Sequence, residues 1–256
     1  MVHTHELMFA DSRLVKRYTS WERGEHLREW SVLQRVHRHA PDLAPRPIAA
    51  DLESVPPVIT MSMVPGTPLT KVVTRSQSEG LVAAITALWT VPYDGIVGVA
   101  PRVNDLDFAR RMTAGPRPVS GVTATAYDAA MDWWHGPDPE LLRRSPGTKV
   151  LGHRDPNLDN YLWDGHRIRI VDFEDAAVSD PAMEVAILAE HLSWREIACE
   201  HLQTLLTFDD RRLLAARRLW AMFWLWRVLP GGRSAGRHPA GVADHQARRV
   251  LELMGQ

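Results

Sequence analysis

Apolar residues over the first sixty or so positions fall into short runs separated by turns. Leu7–Phe9 and Arg13–Tyr18 alternate as two strands about a turn at Ala10–Ser12. Ser20 reads as an N-cap, with Glu22 and Arg23 opening a helix that runs to about His39. Leu27, Trp30, Leu33 and Val36 give that helix an apolar stripe, and Pro41, Pro45 and Pro47 end it. Val58–Met63 is a further strand, broken sharply by Val64-Pro65-Gly66-Thr67-Pro68. Residues 1–64 therefore read as a small β-rich lobe with one helix, and residues 65–256 as a larger, mainly helical lobe.

In the second part the apolar spacing changes to helical period. Helices are expected over Ser78–Leu88, Asp105–Met112, Thr123–Trp134, Pro181–Cys199, Asp209–Leu229 and Val242–Met254. Lys149–Leu151 is expected as a short strand leading into His153. Asp164-Gly165 is a hairpin signal, and Arg167–Val171 alternates arginine with isoleucine and valine at strand period. Folding the chain back at this turn brings Asn160 and Asp172 together. Pro230–Gly241, with four glycines and two prolines, reads as a mobile loop. The fold class is α+β.

Composition narrows the function. With 256 residues, 45% hydrophobic, the chain can bury a sizeable core. A formal charge of −1 argues against nucleic acid or an anionic membrane as the main partner. Cys199 is the single cysteine, which excludes an intramolecular disulfide or a cysteine-based zinc site and fits a reducing cytoplasm. Met1–Asp11 has no signal-peptide core, and Leu219–Leu229, about half a bilayer span and interrupted by Arg227, reads as a buried helix. The expectation is a cytoplasmic protein outside the membrane. Among thirty basic residues only Lys16, Lys71 and Lys149 are lysines, so each lysine invites a question.

The chemistry concentrates in Gly152-His153-Arg154-Asp155-Pro156-Asn157-Leu158-Asp159-Asn160 and in Asp172 across the hairpin. An amide oxygen beside a carboxylate offers the hard oxygens that Mg²⁺ takes. Asp155, one loop upstream, is placed to accept a proton from an incoming hydroxyl. His153, in an apolar lead-in, reads as holding the loop. Phosphoryl transfer needs this division of labour: position donor and acceptor, neutralise charge with metal, orient the nucleophile with one carboxylate. One aspartate alone in a loop is usually a turn former or a helix cap. The ordered combination is what carries the reading.

His153–Asn160, with Ile170-Val171-Asp172-Phe173-Glu174-Asp175, resembles the aminoglycoside phosphotransferase and choline kinase group of protein-kinase-like enzymes. The resemblance implies a two-lobed kinase fold with ATP or GTP in the cleft, Asp155 as catalytic base, and Asn160 and Asp172 as Mg²⁺ ligands. His153 and Arg154 would support the catalytic loop. The family's small residue after the histidine is replaced by Arg154, which resembles the His-Arg-Asp loop of protein kinases. By the same resemblance Lys16 contacts the nucleotide phosphates and Glu29 pairs with it, Glu22 and Glu25 being alternatives on the same helix. Ser62, Met63 and Val64 would hold the base through their backbone. The family has a further strand and a glycine- or serine-bearing phosphate loop before this point. Met1–Glu6 has room only for the tip of such a loop, to which His3, Thr4 and His5 would contribute; either the start is truncated or the triphosphate is held mainly by Lys16 and metal.

For the acceptor the sequence is less direct. Glu174 to Glu200 carries seven acidic residues and one arginine, and the resemblance places part of the acceptor pocket there. Glu174, Asp175, Glu184, Glu190 and Trp194 are candidate substrate residues for a cationic hydroxyl compound, such as an aminoglycoside or an amino alcohol; a solvated helix face is the alternative. Trp194, Trp220, Trp224 and Trp226 would line a pocket or, as helical spacing usually implies, the core. The nine arginines of Arg211 to Arg249 read as a solvated face. A non-catalytic nucleotide-binding relative and a metal-dependent hydrolase are competing readings. The hydrolase gives Lys16 and the break after Met63 no purpose. Donor base, acceptor and self-association stay open at this level.

Overall fold

The computed structural model describes residues 5–70, 72–99, 105–112, 117–118, 120–194 and 209–255. Strands β1 (Glu6–Ala10) and β2 (Arg13–Arg17) pair antiparallel about a two-residue turn in which Asp11 takes a left-handed φ of 46°. β2 pairs in turn with β4 (Val58–Ser62), and β4 with β3 (Pro47–Asp51), in the order β1-β2-β4-β3. The sequence pattern gave no hint of β3, because Pro47 reads as a breaker. It opens an edge strand, where the missing N–H is tolerated.

Helix α1 (Glu25–His39) begins after Gly24, whose φ of 72° turns the chain into it, not at the Ser20 cap. Its buried face is Glu25, His26, Arg28, Glu29, Val32, Leu33 and Val36, while Leu27 is exposed. The stripe expected through Leu27 and Trp30 is therefore rotated over the first two turns. Charged residues face inward there because each finds a partner: Arg28 Nε donates to the Glu174 carbonyl at 2.5 Å, and Glu29 accepts from Lys16.

Helix α2 (Arg75–Trp89) starts three residues before the expected Ser78, held by a capping box. Thr74 Oγ1 accepts from Gln77 N at 3.2 Å, and Gln77 Oε1 accepts from Thr74 N at 2.8 Å. β5 (Thr67–Pro68), β7 (Tyr161–Trp163) and β8 (Ile168–Ile170) form one small sheet, and β6 (Val150–Gly152) pairs with β9 (Ala177–Ser179) in another. α2 packs on β6 and β8, so Leu81, Leu88, Leu151 and Ile170 are all buried. Close approach explains Gly66: a Cβ there would stand 2.9 Å from the Trp163 carbonyl oxygen, and its φ is 127°.

The remaining α-helices among the described residues are α3 (Asp105–Met112), α4 (Gly121–Trp133), α5 (Asp138–Arg143), α6 (Pro181–Glu190), α7 (Asp210–Val228) and α8 (Val242–Met254). α7 packs against α3, α5 and α8, and is buried nearly all round, as its composition implied. Asp209 caps it, accepting from Arg211 N and Arg212 N at 2.9 and 3.1 Å. Pro230–Gly241, read as a mobile loop, is tied back onto the end of α7: Ser234 N donates to Arg227 O at 2.9 Å, and Ser234 is buried. His3, Thr4, Lys71, Cys199, Glu200 and the end of the helix expected over Pro181–Cys199 lie outside the described residues.

The packing divides into two compact units. One takes the described parts of Met1–Pro101 and Thr148–Pro181, the other those of Arg102–Gly147, Ala182–Arg195 and Thr207–Gln256. The described part of residues 1–64, expected as the smaller lobe, lies in the first, which also takes in stretches of residues 65–256. No helix among the described residues is long and apolar enough to cross a membrane.

Candidate active site

The hairpin of β7 and β8 sets the site. Asp164 accepts from the backbone of His166 and Arg167 at 2.9 and 2.8 Å and from the Arg169 side chain. The backbone bond to Arg167 does most to hold its carboxyl below the usual range, helped by Arg169. At the open end Val171 N donates to the Asn160 carbonyl at 3.0 Å, which places Asn160 and Asp172 side by side as the sequence implied. Asp172 adopts a left-handed φ of 67°, so its side chain leaves the strand direction.

His153 is buried and its Nε2 donates to the Val171 carbonyl at 2.9 Å, with its ring edge-on to Phe173. It ties the loop to the hairpin end. Arg154, at φ 70°, is buried too, with Nη1 donating to Ser179 Oγ at 3.4 Å on β9. Asp155 and Asn160 are joined: Asn160 Nδ2 donates to the Asp155 carbonyl at 3.0 Å and to Asp155 Oδ2 at 3.1 Å. This leaves Asp155 Oδ1 and Asn160 Oδ1 for other partners. Burial raises the Asp155 carboxyl above its ordinary value; the charge on Asp172 adds to this, and His153 opposes it.

Opposite stands Lys16, 5% exposed. Its Nζ lies 2.7 Å from Glu29 Oε2, 2.5 Å from Asp172 Oδ1 and 2.9 Å from Glu174 Oε2. Burial alone would lower its pKa, but Glu29 and Asp172 outweigh burial and keep the ammonium firmly charged. Burial works to raise Asp172, and Lys16 outweighs it and holds that carboxyl below the usual range. Glu29 is raised, chiefly by burial. Of the three glutamates weighed on α1 and its approach, Glu29 alone meets Lys16: Glu25 pairs with Arg23 at 2.8 Å and Glu22 is exposed.

Two contacts escaped the sequence reading. The Tyr18 hydroxyl donates to Glu29 Oε2, and His5 Nε2 lies 2.7 Å from Glu174 Oε2. Tyr18 could have been found, since it lies two residues beyond Lys16 and so on the same face of the strand.

Lys16 and its partners Glu29 and Asp172 border a cavity of about 530 Å³ together with Asp155 and Asn160. Leu7, Leu14, Met61, Leu162 and Val171 line one part, and Lys16, Glu29, Asp155, Asn160 and Asp172 another. Ser62, Met63 and Val64 also border it. Two of their three amides are spent within the fold: Ser62 N donates to the Arg46 carbonyl and Met63 N to the Ser12 carbonyl, both at 2.9 Å. Val64 N–H has no such partner among the described residues. Asn160 Oδ1 and the second Asp172 oxygen are hard donors open to a divalent cation, and they fit one of the magnesium type. The oxygens of Glu29, Asp172 and Glu174 also lie within 4.8 Å of one another, with Lys16 bonded to all three.

The residues proposed for a cationic acceptor are divided between the two units. Glu174 is buried against Lys16 and His5, so its charge is already compensated. Asp175 lies 3.4 Å from Arg23 Nη1. Glu184, Glu190 and Trp194 belong to the second unit. There Glu190 is 1% exposed and accepts from Arg217 at 2.7 Å and from Arg249 at 2.9 Å, which leaves no negative charge to offer. Trp194 is 1% exposed and Trp226 5%, so both are core, whereas Trp220 and Trp224 are half-buried.

A search of the curated proteins finds no match by sequence. Among solved structures, a choline/ethanolamine kinase family protein from Mesorhizobium loti superposes with a TM-score of 0.74 at 14% identity, covering 100% of this chain and 87% of that one. Choline kinase from Streptococcus pneumoniae gives 0.66 at 12%, covering 100% and 90%. The GDP complex of wild-type aminoglycoside 2′-phosphotransferase-IIIa gives 0.64 at 16%, covering 100% and 89%. At these identities the likeness is one of fold, the protein-kinase-like arrangement of a small antiparallel sheet and a helical region. The sequence itself carries the decision: residues 10–220 match the model of the phosphotransferase enzyme family, and the chain belongs to that family.

Proposed function

We propose that this phosphotransferase moves the γ-phosphoryl group of ATP or GTP to a hydroxyl of a small molecule. The observation that supports this reading most is the convergence of Lys16, Asn160, Asp172 and Asp155 on one cavity whose other part is apolar. The purine would lie between Leu14, Met61, Leu162 and Val171, its edge accepting from the Val64 amide. Lys16 would donate to phosphate oxygens. Mg²⁺, held by Asn160 Oδ1 and Asp172, would neutralise charge on the β- and γ-phosphates. Asp155 Oδ1 accepts the acceptor's hydroxyl proton as the new oxygen–phosphorus bond forms and the bond to the bridging oxygen of the leaving diphosphate breaks. The raised Asp155 carboxyl suits a proton acceptor better than an ordinary aspartate would.

For the acceptor, an aminoglycoside would make the enzyme one of antibiotic resistance, and an amino alcohol or sugar would make it metabolic. With Glu174 and Glu190 both compensated, a strongly cationic acceptor loses two of its expected partners. The test is a phosphorylation screen with Mg·ATP and Mg·GTP against aminoglycosides, macrolides, amino alcohols and sugars. Mg²⁺-dependent nucleotide binding with turnover of one class supports the reading. Tight nucleotide binding with no transfer to any acceptor would turn it into a nucleotide sensor. Asp172→Ala should lose the Mg²⁺ dependence of nucleotide affinity, and unchanged dependence would remove Asp172 as a ligand.

A further inference from the structure

Lys16 has three ammonium protons and meets three carboxylates, but the three are not held alike. Glu29 Oε2 is gripped a second time, by the hydroxyl of Tyr18. Glu174 Oε2 is gripped a second time, by His5 Nε2 at 2.7 Å. The His5 Nδ1 accepts from the Thr19 backbone N–H at 3.1 Å, which fixes the tautomer with its proton on Nε2, donated to Glu174. The His5 ring lies 4.6 Å from that of Tyr18, which is fully buried. Thus His5, Glu174, Lys16, Glu29 and Tyr18 form a closed circuit. Asp172 stands outside it: among the described residues it has no second side-chain partner, and its side chain is 36% exposed, against 2% for Glu29 and 10% for Glu174.

We propose that His5 and Tyr18 are positioning residues that make Glu174 and Glu29 permanent partners of Lys16, leaving Asp172 as the partner that Lys16 gives up to a nucleotide phosphate. The proposal rests on the nucleotide-dependent reading above. An ammonium with two fixed acceptors has its third N–H direction set, because the donors are tetrahedral. That direction now ends on Asp172, at the border of the cavity. When Asp172 turns to a cation, the same N–H is aimed at what replaces it, a phosphate oxygen, with no reorganisation of the lysine. Without the braces Glu174 and Glu29 are free to turn, and Lys16 turns with them.

The test compares His5→Leu, which keeps apolar bulk and loses the N–H, with His5→Gln, whose amide can again donate to Glu174. Equilibrium binding of Mg·ATP or Mg·GTP, whichever the unaltered chain binds more tightly, is read beside KM and kcat. His5→Leu should weaken nucleotide binding about tenfold, the scale of one lost hydrogen bond to a charged group. His5→Gln should recover most of this, and the KM of the acceptor should hardly move in either. Tyr18→Phe, which keeps the ring, should weaken nucleotide binding in the same way through Glu29, and it decides the matter if His5→Leu does not fold. Unchanged binding in Tyr18→Phe, or equal losses in His5→Leu and His5→Gln, overturns the positioning role. Failure of the unaltered chain to bind either nucleotide would instead remove the nucleotide-dependent reading, and the proposal with it.

Discussion

Asp155 shows how much one residue's role depends on neighbours that the sequence only partly names. The proximity of Asn160 and Asp172 was legible from the hairpin, with Asp155 one loop upstream. The clamp by which Asn160 Nδ2 bonds both the carbonyl and the carboxylate of Asp155 was not, because it depends on a side-chain rotamer. Asp155→Asn keeps the shape and removes the proposed proton acceptor, so kcat should fall by roughly 10²- to 10⁴-fold with nucleotide affinity kept. An unchanged kcat would exclude Asp155 as the base. The base works deprotonated, and burial raises its pKa above the ordinary 3.8, so the acid limb of the rate profile should lie above pH 3.8. Activity should rise with pH through that limb. Lys16 and Glu29 were legible from resemblance, but the compensation of Glu174 and Glu190 was not. A run of acidic letters does not show that their cations arrive from residues such as Lys16, Arg217 and Arg249, distant in the chain.

Among elements, the β7–β8 hairpin was the most legible, because Asp164-Gly165 and the alternation after it are local signals. β3 and the rotated face of α1 were not, since both depend on tertiary partners: β4 for the first, and Lys16 and Glu174 for the second. The hairpin carries its own prediction. Asp164→Ala removes the acceptor for two turn amides and for Arg169, so the turn should loosen and the pairing of Asn160 with Asp172 with it. Thermal unfolding should come at a lower temperature, and Mg·nucleotide binding should weaken several-fold although Asp164 borders no part of the cavity. The Asp164 carboxyl is depressed, so its stabilising effect is full above the ordinary aspartate pKa of 3.8 and is lost as pH falls through the lower, folded value. Equal melting temperatures for the two proteins at neutral pH would contradict this.

At the scale of the molecule, the chain passes between its two packing units more than once, so the first unit is completed only when Thr148–Pro181 returns to it. A fragment ending at Pro101 would keep β1 to β4 but would lack β7, the partner of β5. It would also lack Ile170, whose N–H satisfies the Leu43 carbonyl at 2.8 Å, and two of the three carboxylates on Lys16. Such a fragment should show no cooperative thermal transition by circular dichroism; a sharp one would mean that the sheet and α1 are self-sufficient. The change from strand period to helical period was legible, whereas the return of residues 148–181 to the first unit was not, because periodicity reports elements and not their packing partners. The circle of carboxylates around Lys16 has a further consequence, for the reactivity of the chain. Acylating reagents need an unprotonated amine, and the carboxylates around Lys16 keep its proton firmly in place. In a chain with three lysines, exposed Lys149 is open to such reagents, while Lys16 is chemically silent until something draws a carboxylate away.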